Sequence, residues 1–154
     1  MNDFLKKLHT KNAFNKCCID CKKNATTHAL IWLGIFVCES CANMHIDHLP
    51  NGCQSNTYVK HVANEHWDDY QLRSVQLGGN KALFDLLKEF DIAELDFQKR
   101  YRHSALVWYQ KRHMARMDGL EYSGLKPAKD LKERLSITKA TVVNTTKTVE
   151  SRSE

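Results

Sequence analysis

The sequence begins with a stretch in which apolar residues have helical spacing. Phe4, Leu5 and Leu8 share one face, with lysines on the other positions, and this predicts a leading helix. A second helical pattern starts near Glu65 and runs to a Gly-Gly pair at 78–79, a pair typical of helix carboxyl ends. Both stretches are therefore expected to contribute helices to a core.

The next stretch continues this helical character. Asn80 is expected to cap a helix in "KALFDLLKEF", and one further helix is predicted from about Ala93 to Met117. Aromatic residues recur along the last helix at helical spacing, and we attribute them to core packing. They include Phe97, Tyr101, Trp108 and Tyr109.

Strand-like stretches lie between the leading helix and Glu65. The segment "THALIWLGIFVC" has the β-branched and aromatic content of two short strands, with Gly34 at the turn. A helix should begin near Cys38 and end before Pro50. The segment "LPNGCQSN" is expected to be a loop, and "TYVKHV" to be a third short strand.

Length and composition predict one domain with a tail. The chain has 154 residues, of which 42% are hydrophobic, enough for a core. We expect the domain in residues 1–120 and a polar extension in residues 121–154, disordered unless a partner holds it. No apolar run approaches the roughly 18 residues of a membrane span, and no secretory signal is visible. The protein is expected to be intracellular and cytoplasmic, with a mitochondrial location as the alternative, since the leading helix is amphipathic and carries lysines.

The formal net charge of +5 suits an acidic protein partner or peripheral contact with an anionic membrane. The predicted last helix carries a basic face, which is a solvated surface by default and a docking surface as the alternative. Runs of lysine and arginine never exceed two residues, so no nucleic-acid partner is expected.

Four of the six cysteines have metal-ligand spacing. Cys18, Cys21, Cys38 and Cys41 form C-x2-C pairs separated by sixteen residues. Four thiolates complete a tetrahedral shell for one structural Zn²⁺, with no position left for water. Cys17 would compete with Cys18 only by lengthening the first spacing.

Three other residues carry side chains that can bind metal. Cys53 lies outside the pattern and is expected to be a plain thiol. His45 and His48 are three residues apart and suit a second metal site or ordinary surface and core positions.

These features together resemble an ArfGAP domain, the zinc-finger domain that stimulates GTP hydrolysis by Arf-type small GTPases. The resemblance is carried by "NKCCIDC", "GIFVCESCANMH", Trp67, "QLRSVQLGGN" and the later Tyr101–Tyr109 segment, over about residues 2–120. It implies a small α+β zinc-binding domain: a four-cysteine zinc finger with a short β-sheet surrounded by α-helices. It also implies an Arf-like GTPase or the subunits of a multiprotein complex as partners.

The chain departs from the family pattern where the family places its catalytic arginine. That pattern is similar to C-x-x-x-H-R-S-L-G-x-H; here Cys41 and His45 match, but Ile46 stands at the arginine position. Lys60 is a weak substitute, and Arg73 is expected to be structural. We therefore interpret the chain as a degenerate domain that serves as an interaction or structural subunit. The alternative is an active GTPase activator for an Arf-type GTPase in membrane traffic.

Overall fold

The computed structural model describes residues 2–48 and 58–129. The loop predicted at residues 49–56 and the stretch after residue 129 lie outside the described residues, as does Cys53. The described part contains no helix with both the length and the apolar composition that a membrane span requires.

Two compact units are distinguished along the chain, Met1–Gly124 and Leu125–Glu154. Residues 125–129 are the described part of the second unit, and they contain neither helix nor strand. The domain boundary expected between residues 120 and 121 stays a prediction.

The first unit has the predicted composition of a small sheet with surrounding helices. In chain order its described elements are α1 (Asp3–Thr10), α2 (Ala13–Lys16), β1 (His28–Leu30), β2 (Ile35–Val37), α3 (Glu39–His48), β3 (Val59–His61), α4 (Asp69–Leu77), α5 (Asn80–Glu89), α6 (Phe97–Arg102) and α7 (Ser104–Met117). The expectation of an α+β fold with a short sheet is thus confirmed. The short helix α2 was not predicted.

The sheet has the order β2-β1-β3, with β1 antiparallel to both neighbours. β1 and β2 are joined through Gly34, whose φ of +66° favours glycine. A Cβ at Gly34 would also lie 2.5 Å from the Ser74 carbonyl oxygen. The predicted turn is therefore confirmed, and both its backbone conformation and the approach of α4 require glycine.

Both faces of the sheet are buried. Alternate strand residues point to opposite sides, and Leu30 and Ile35 pack in a different cluster from Ala29 and Phe36. The first cluster joins the sheet to the metal-type cysteines, α5 and α7. The second joins it to α1 and α4 through Leu5 and Val75, and includes Val62 and Trp67 from the segment between β3 and α4.

Two helices begin at different residues than predicted, and each difference has a local cause. α4 begins at Asp69 because Asp68 and Gln71 form a capping box, in which each side chain bonds the other's backbone amide. The single last helix is divided at His103, which is extended and whose Nδ1 accepts from the Ala105 amide at 3.0 Å. α6 and α7 are therefore separate helices.

Asn80 is the first residue of α5 and not its cap; Gly79 holds the cap position with φ +95°. The buried Asn80 side chain accepts from the Phe36 amide at 2.7 Å and donates to the carbonyls of Phe14, Cys17 and Phe36 at 3.0–3.1 Å. Its own amide donates to Asn15 Oδ1 at 2.8 Å. Asn80 thus joins α5 to α2 and β2, and the predicted capping role is wrong.

A second buried polar group lies behind the hairpin turn. The Ser74 hydroxyl donates to the Ile31 carbonyl and lies 3.1 Å from His113 Nε2. Burial, together with the positive charges of Arg116 and Arg112, lowers the pKa of His113 to about 4. His113 is therefore neutral in the folded protein at neutral pH.

This histidine should make the fold acid-sensitive. Its folded pKa lies below the ordinary value of 6.5, so the unfolded chain binds the proton more readily between those values. Stability is then fully present above about pH 6.5 and is lost as the pH falls toward 4. Between pH 7 and 5 we expect a loss of about 2 kcal/mol in the free energy of unfolding from this group.

Urea unfolding at several pH values measures this slope, and His113→Gln is the matched control. Acid effects on metal binding are common to both proteins, so the difference between their slopes isolates His113. Equal slopes in the parent and the variant would contradict the assignment.

Candidate metal centre and the surface beside it

The four cysteines predicted as ligands lie together. All four Sγ atoms of Cys18, Cys21, Cys38 and Cys41 are within 4.8 Å of one another, and the site is half to fully buried. The first pair lies in the turn after α2, and the second spans the end of β2 and the first turn of α3. Cys17 is exposed and outside this group.

The turn carrying the first pair is held by backbone contacts. The Lys22 amide donates to the Cys18 carbonyl at 2.9 Å, and Lys22 has φ +59°. Asn24 follows, and its amide and its side-chain nitrogen lie 3.5 Å from the sulfurs of Cys21 and Cys38, respectively. These contacts fix the turn and bond one sulfur of each pair, so that Asn24 joins the two pairs.

The protonation of the thiols suits a cation. Burial raises the pKa of Cys18 to about 12, and burial with the neighbouring Cys18 raises that of Cys41 above its ordinary value. Burial also acts on Cys38, but hydrogen bonds from Ser40 and Asn24 outweigh it and lower the pKa to about 6. Without a cation, burial would keep protons on Cys18 and Cys41. A divalent ion would displace them, and four thiolates are a ligand set typical of structural metal sites.

A buried ion-pair network braces this loop, and sequence analysis missed it. Asp20 lies between Cys18 and Cys21. Its carboxylate accepts hydrogen bonds from His45 Nε2 at 2.7 Å, from Arg100 at 3.2 Å and from the Tyr101 hydroxyl. Burial would raise the pKa of Asp20, but the hydrogen bond from His45 and the nearby cationic groups hold it below its ordinary value. The turn that carries Cys18 and Cys21, called the metal loop below, is thereby tied to α3 and α6.

This network also decides the role of the two histidines on α3. His45 is buried beneath the helix and bound to Asp20, whereas His48 is exposed. Within residues 2–48 and 58–129, the cysteine group is the one set of three or more ligand side chains close enough to hold an ion. A second metal site at the two histidines is not formed.

The residue at the expected arginine position faces solvent. Ile46 lies one residue after the buried His45, near the end of α3, and is 42% exposed. Asp47 beside it is also exposed. This part of α3 therefore presents a branched apolar side chain and a carboxylate.

The two basic residues considered as substitutes are engaged elsewhere. Lys60 Nζ lies 3.2 Å from Glu65 Oε1, and its side chain is only 15% exposed. Arg73 donates to the Met117 carbonyl at 3.0 Å, which joins α4 to the end of α7. Both side chains have structural contacts in this protein.

Comparison with known proteins places these features in a family context. Residues 2–117 match the sequence model of the ArfGap family, described as "Putative GTPase activating protein for Arf". An uncharacterized protein of Caenorhabditis elegans is 29% identical over 100 residues, which are 62% of this chain. The ADP-ribosylation factor GTPase-activating protein 3 of Mus musculus is 26% identical over 98 residues, or 64% of this chain.

The aligned segment is a small part of those relatives, 18% of the length of each. Among solved structures, a Cryptosporidium parvum protein described as a "putative GTPase activating protein for ADP ribosylation factor" matches with a TM-score of 0.57. It is 17% identical, and the match covers 76% of this chain and 87% of that structure. At this identity the likeness shows the fold.

Proposed function

The chain belongs to the ArfGAP family, and from this premise we propose that it is a degenerate member. It acts as a protein-interaction or structural subunit of a larger assembly, without accelerating GTP hydrolysis. The proposal is carried by one observation: an exposed isoleucine, Ile46, occupies the position on α3 where the family is expected to have its arginine.

The physical reason lies in the chemistry of phosphoryl transfer. An arginine supplied in trans places a cationic fork on the charge that builds over the transferring phosphoryl group, and this is worth roughly 10³–10⁵ in rate. Ile46 has neither a donor nor a charge, so no rotamer can replace that interaction. Asp47 adds a negative charge beside it, which opposes an anionic phosphate.

We assign one structural Zn²⁺ to Cys18, Cys21, Cys38 and Cys41. The position of the four Sγ atoms, all within 4.8 Å of one another, supports a cation at this site. When bound, the ion crosslinks two loops; with four thiolates the shell has no open position for water or substrate. Asp20, through its bonds to α3 and α6, orients the first cysteine pair.

The proposed partners are proteins: an Arf-like GTPase, or other subunits of a complex. We expect the contact to occur inside the cell, in the cytoplasm or, as the alternative, in mitochondria. Residues 121–154 would be a polar extension that becomes ordered on a partner, and peripheral contact with anionic membrane would be favoured by the basic charge.

One observation favours the alternative, an active GTPase activator. Arg102 on α6 is exposed, has no hydrogen-bond or ion-pair partner among the described residues, and lines a groove with Met44 of α3. A guanidinium there could serve as a substitute cation beside the partner. Exposure alone does not direct this guanidinium at a phosphoryl group, and we therefore retain inactivity as the main proposal.

Single-turnover hydrolysis of GTP on a purified Arf-type GTPase tests the proposal. We expect the chain to leave the hydrolysis rate within about threefold of the intrinsic rate, against the roughly 10³-fold or greater change that a supplied arginine gives. A family member with established activity serves as the positive control. Adding an excess of this chain to that control should slow it, because the two compete for the GTPase.

A steep acceleration by this chain alone would overturn inactivity, and its loss in Arg102→Ala would locate the substitute cation. Failure to compete would remove the Arf-like GTPase from the proposed partners.

A further inference from the structure

We propose that an apolar pocket between α2, the metal loop and α5 binds a short acidic segment of a partner protein through one large apolar side chain. This inference rests on the proposed function only in that the chain acts by binding proteins. The pocket does not include Ile46 or Asp47 of α3.

The pocket has the size and lining for one side chain. Its volume is about 230 Å³, and Ala13, Phe14, Cys17, Ile19 and Phe84 provide an almost wholly apolar wall. For comparison, an apolar cavity of roughly 150 Å³ in another protein binds benzene. A leucine, methionine or phenylalanine side chain therefore fits, and such anchors dominate the energetics of many protein contacts.

Two aromatic rings at the pocket are held in place although one is well exposed. Phe14 is 38% exposed, and its ring centroid lies 5.4 Å from that of Phe84 in a tilted arrangement. Lys81 Nζ lies 5.6 Å from the Phe14 centroid, and Lys88 Nζ lies 5.4 Å from the Phe84 centroid. Cation–π contacts of this kind combine an apolar wall with positive charge at its edge.

The charge around the pocket selects the chemistry of the occupant. Residues 2–27 carry six exposed lysines but only two acids, and one of these, Asp20, has a side chain that is 3% exposed and paired. Lys22 itself lines the pocket. Two of the lysines at the rim, Lys81 and Lys22, already hold an acid, Asp85 at 3.0 Å and Glu94 at 3.5 Å. Lys88 over the Phe84 ring and the exposed Lys16 and Lys23 have no ion-pair partner among the described residues. Carboxylates of a partner would find a positive rim.

An acidic peptide with an apolar anchor matches both features at once. A phosphate-rich surface would use the lysines and leave the apolar wall bare. A lipid surface would need a broad exposed apolar patch, whereas this pocket admits one side chain. The peptide partner is therefore the occupant favoured by the combination.

The metal loop forms part of the wall, since Cys18 and Ile19 both line the pocket. The pocket should then keep its shape only while the loop is fixed. The test accordingly uses the full chain with its metal bound.

A fluorescein-labelled peptide of ten residues, with one central phenylalanine among aspartates and glutamates, is the probe. We expect saturable binding by fluorescence polarisation, with a Kd below about 0.1 mM. A matched peptide with central alanine should bind at least tenfold more weakly, and one with lysines replacing the acids should not bind. Amide NMR shifts should concentrate at residues 13–22 and around Phe84.

Variants of the chain locate the contact. Ala13→Trp, at an exposed position in the pocket wall, should fill the cavity and weaken peptide binding at least tenfold. Lys88→Glu, outside the wall, should weaken it several-fold through charge alone, and this keeps the test decisive if the tryptophan variant folds poorly. Lys111→Glu makes the same charge change on α7 and should bind within about twofold of the parent.

Equal binding of the alanine-centred peptide, or parent-like binding by both Ala13→Trp and Lys88→Glu, would overturn the proposal. Shifts at the same residues caused by anionic phospholipid vesicles, with none caused by the peptide, would overturn it in favour of a lipid. If the peptide fails to bind while the chain still competes for GTP-loaded Arf, this inference fails and the proposed function stands. If the peptide binds while the chain fails to compete for GTP-loaded Arf, this inference stands and the Arf-like GTPase is removed from the proposed partners.

Discussion

Replacing Cys38 with serine is expected to unfold the domain. Cys38 is buried, its sulfur belongs to the four-cysteine group, and both Ser40 and Asn24 bond to it. Structural zinc contributes roughly 10–16 kcal/mol of apparent binding free energy in small domains. Domains of this size are stable by only about 5–15 kcal/mol. Loss of one of four ligands should therefore remove most of the net stability.

Metal content and far-ultraviolet circular dichroism check this expectation. The parent should contain one zinc per chain and should lose its cooperative thermal transition when a strong chelator is added. Cys38→Ser should lack that transition even without the chelator. Cys17→Ser is the matched control, because Cys17 is adjacent in sequence to a ligand but exposed and outside the group. Two results would refute a structural role for the metal: a Cys38→Ser protein that melts like the parent, or a parent that contains no metal and still unfolds cooperatively.

Ile46→Arg should convert the chain into a GTPase activator, with a gain of roughly 10³-fold or more over the parent in single-turnover hydrolysis. The position is exposed on α3, so a longer polar side chain is accommodated without burying charge. The neighbouring His45 is fixed by Asp20, which gives the new residue a rigid base. The guanidinium would then supply the missing fork to the transferring phosphoryl group.

Two further variants make the result specific. Ile46→Leu keeps the apolar character and should stay at the parent rate. Ile46→Arg combined with Asp47→Ser removes the adjacent negative charge and should be at least as active as the single variant. If Ile46→Arg binds the GTPase yet leaves hydrolysis unchanged, then the loss of activity lies in more than this residue.

The cysteine site and the sheet were accessible to sequence reasoning because their signals are local. Two C-x2-C pairs constrain sulfur positions through turn geometry, and β-branched residues around Gly34 mark a hairpin. Family resemblance supplied the arrangement of helices around them. The exposed position of Ile46 follows from its place on a helix whose buried side is marked by His45.

Two of the missed features depend on partners distant in sequence, and a third depends on a local side-chain cap. Asp20 lies 80 residues from Arg100, and its network could be suspected only from a charged residue inside the cysteine pair. The division between α6 and α7 depends on a histidine side chain acting as a cap, while the apolar spacing continues through it. The sequence around Asn80 indicates a helix cap, the commonest local role of asparagine, but its side-chain contacts lie 44–66 residues away.

The contacts of Asn80 have a practical bearing on where the domain can be shortened. Three of its bonds reach Phe14, Asn15 and Cys17, which precede Cys18, the first of the four clustered cysteines. A fragment trimmed to the zinc finger and the helices after it would leave polar atoms without partners in the middle of the protein. Residues 14–17 are thus an integral part of the folding unit, and a fusion or truncation should leave them intact.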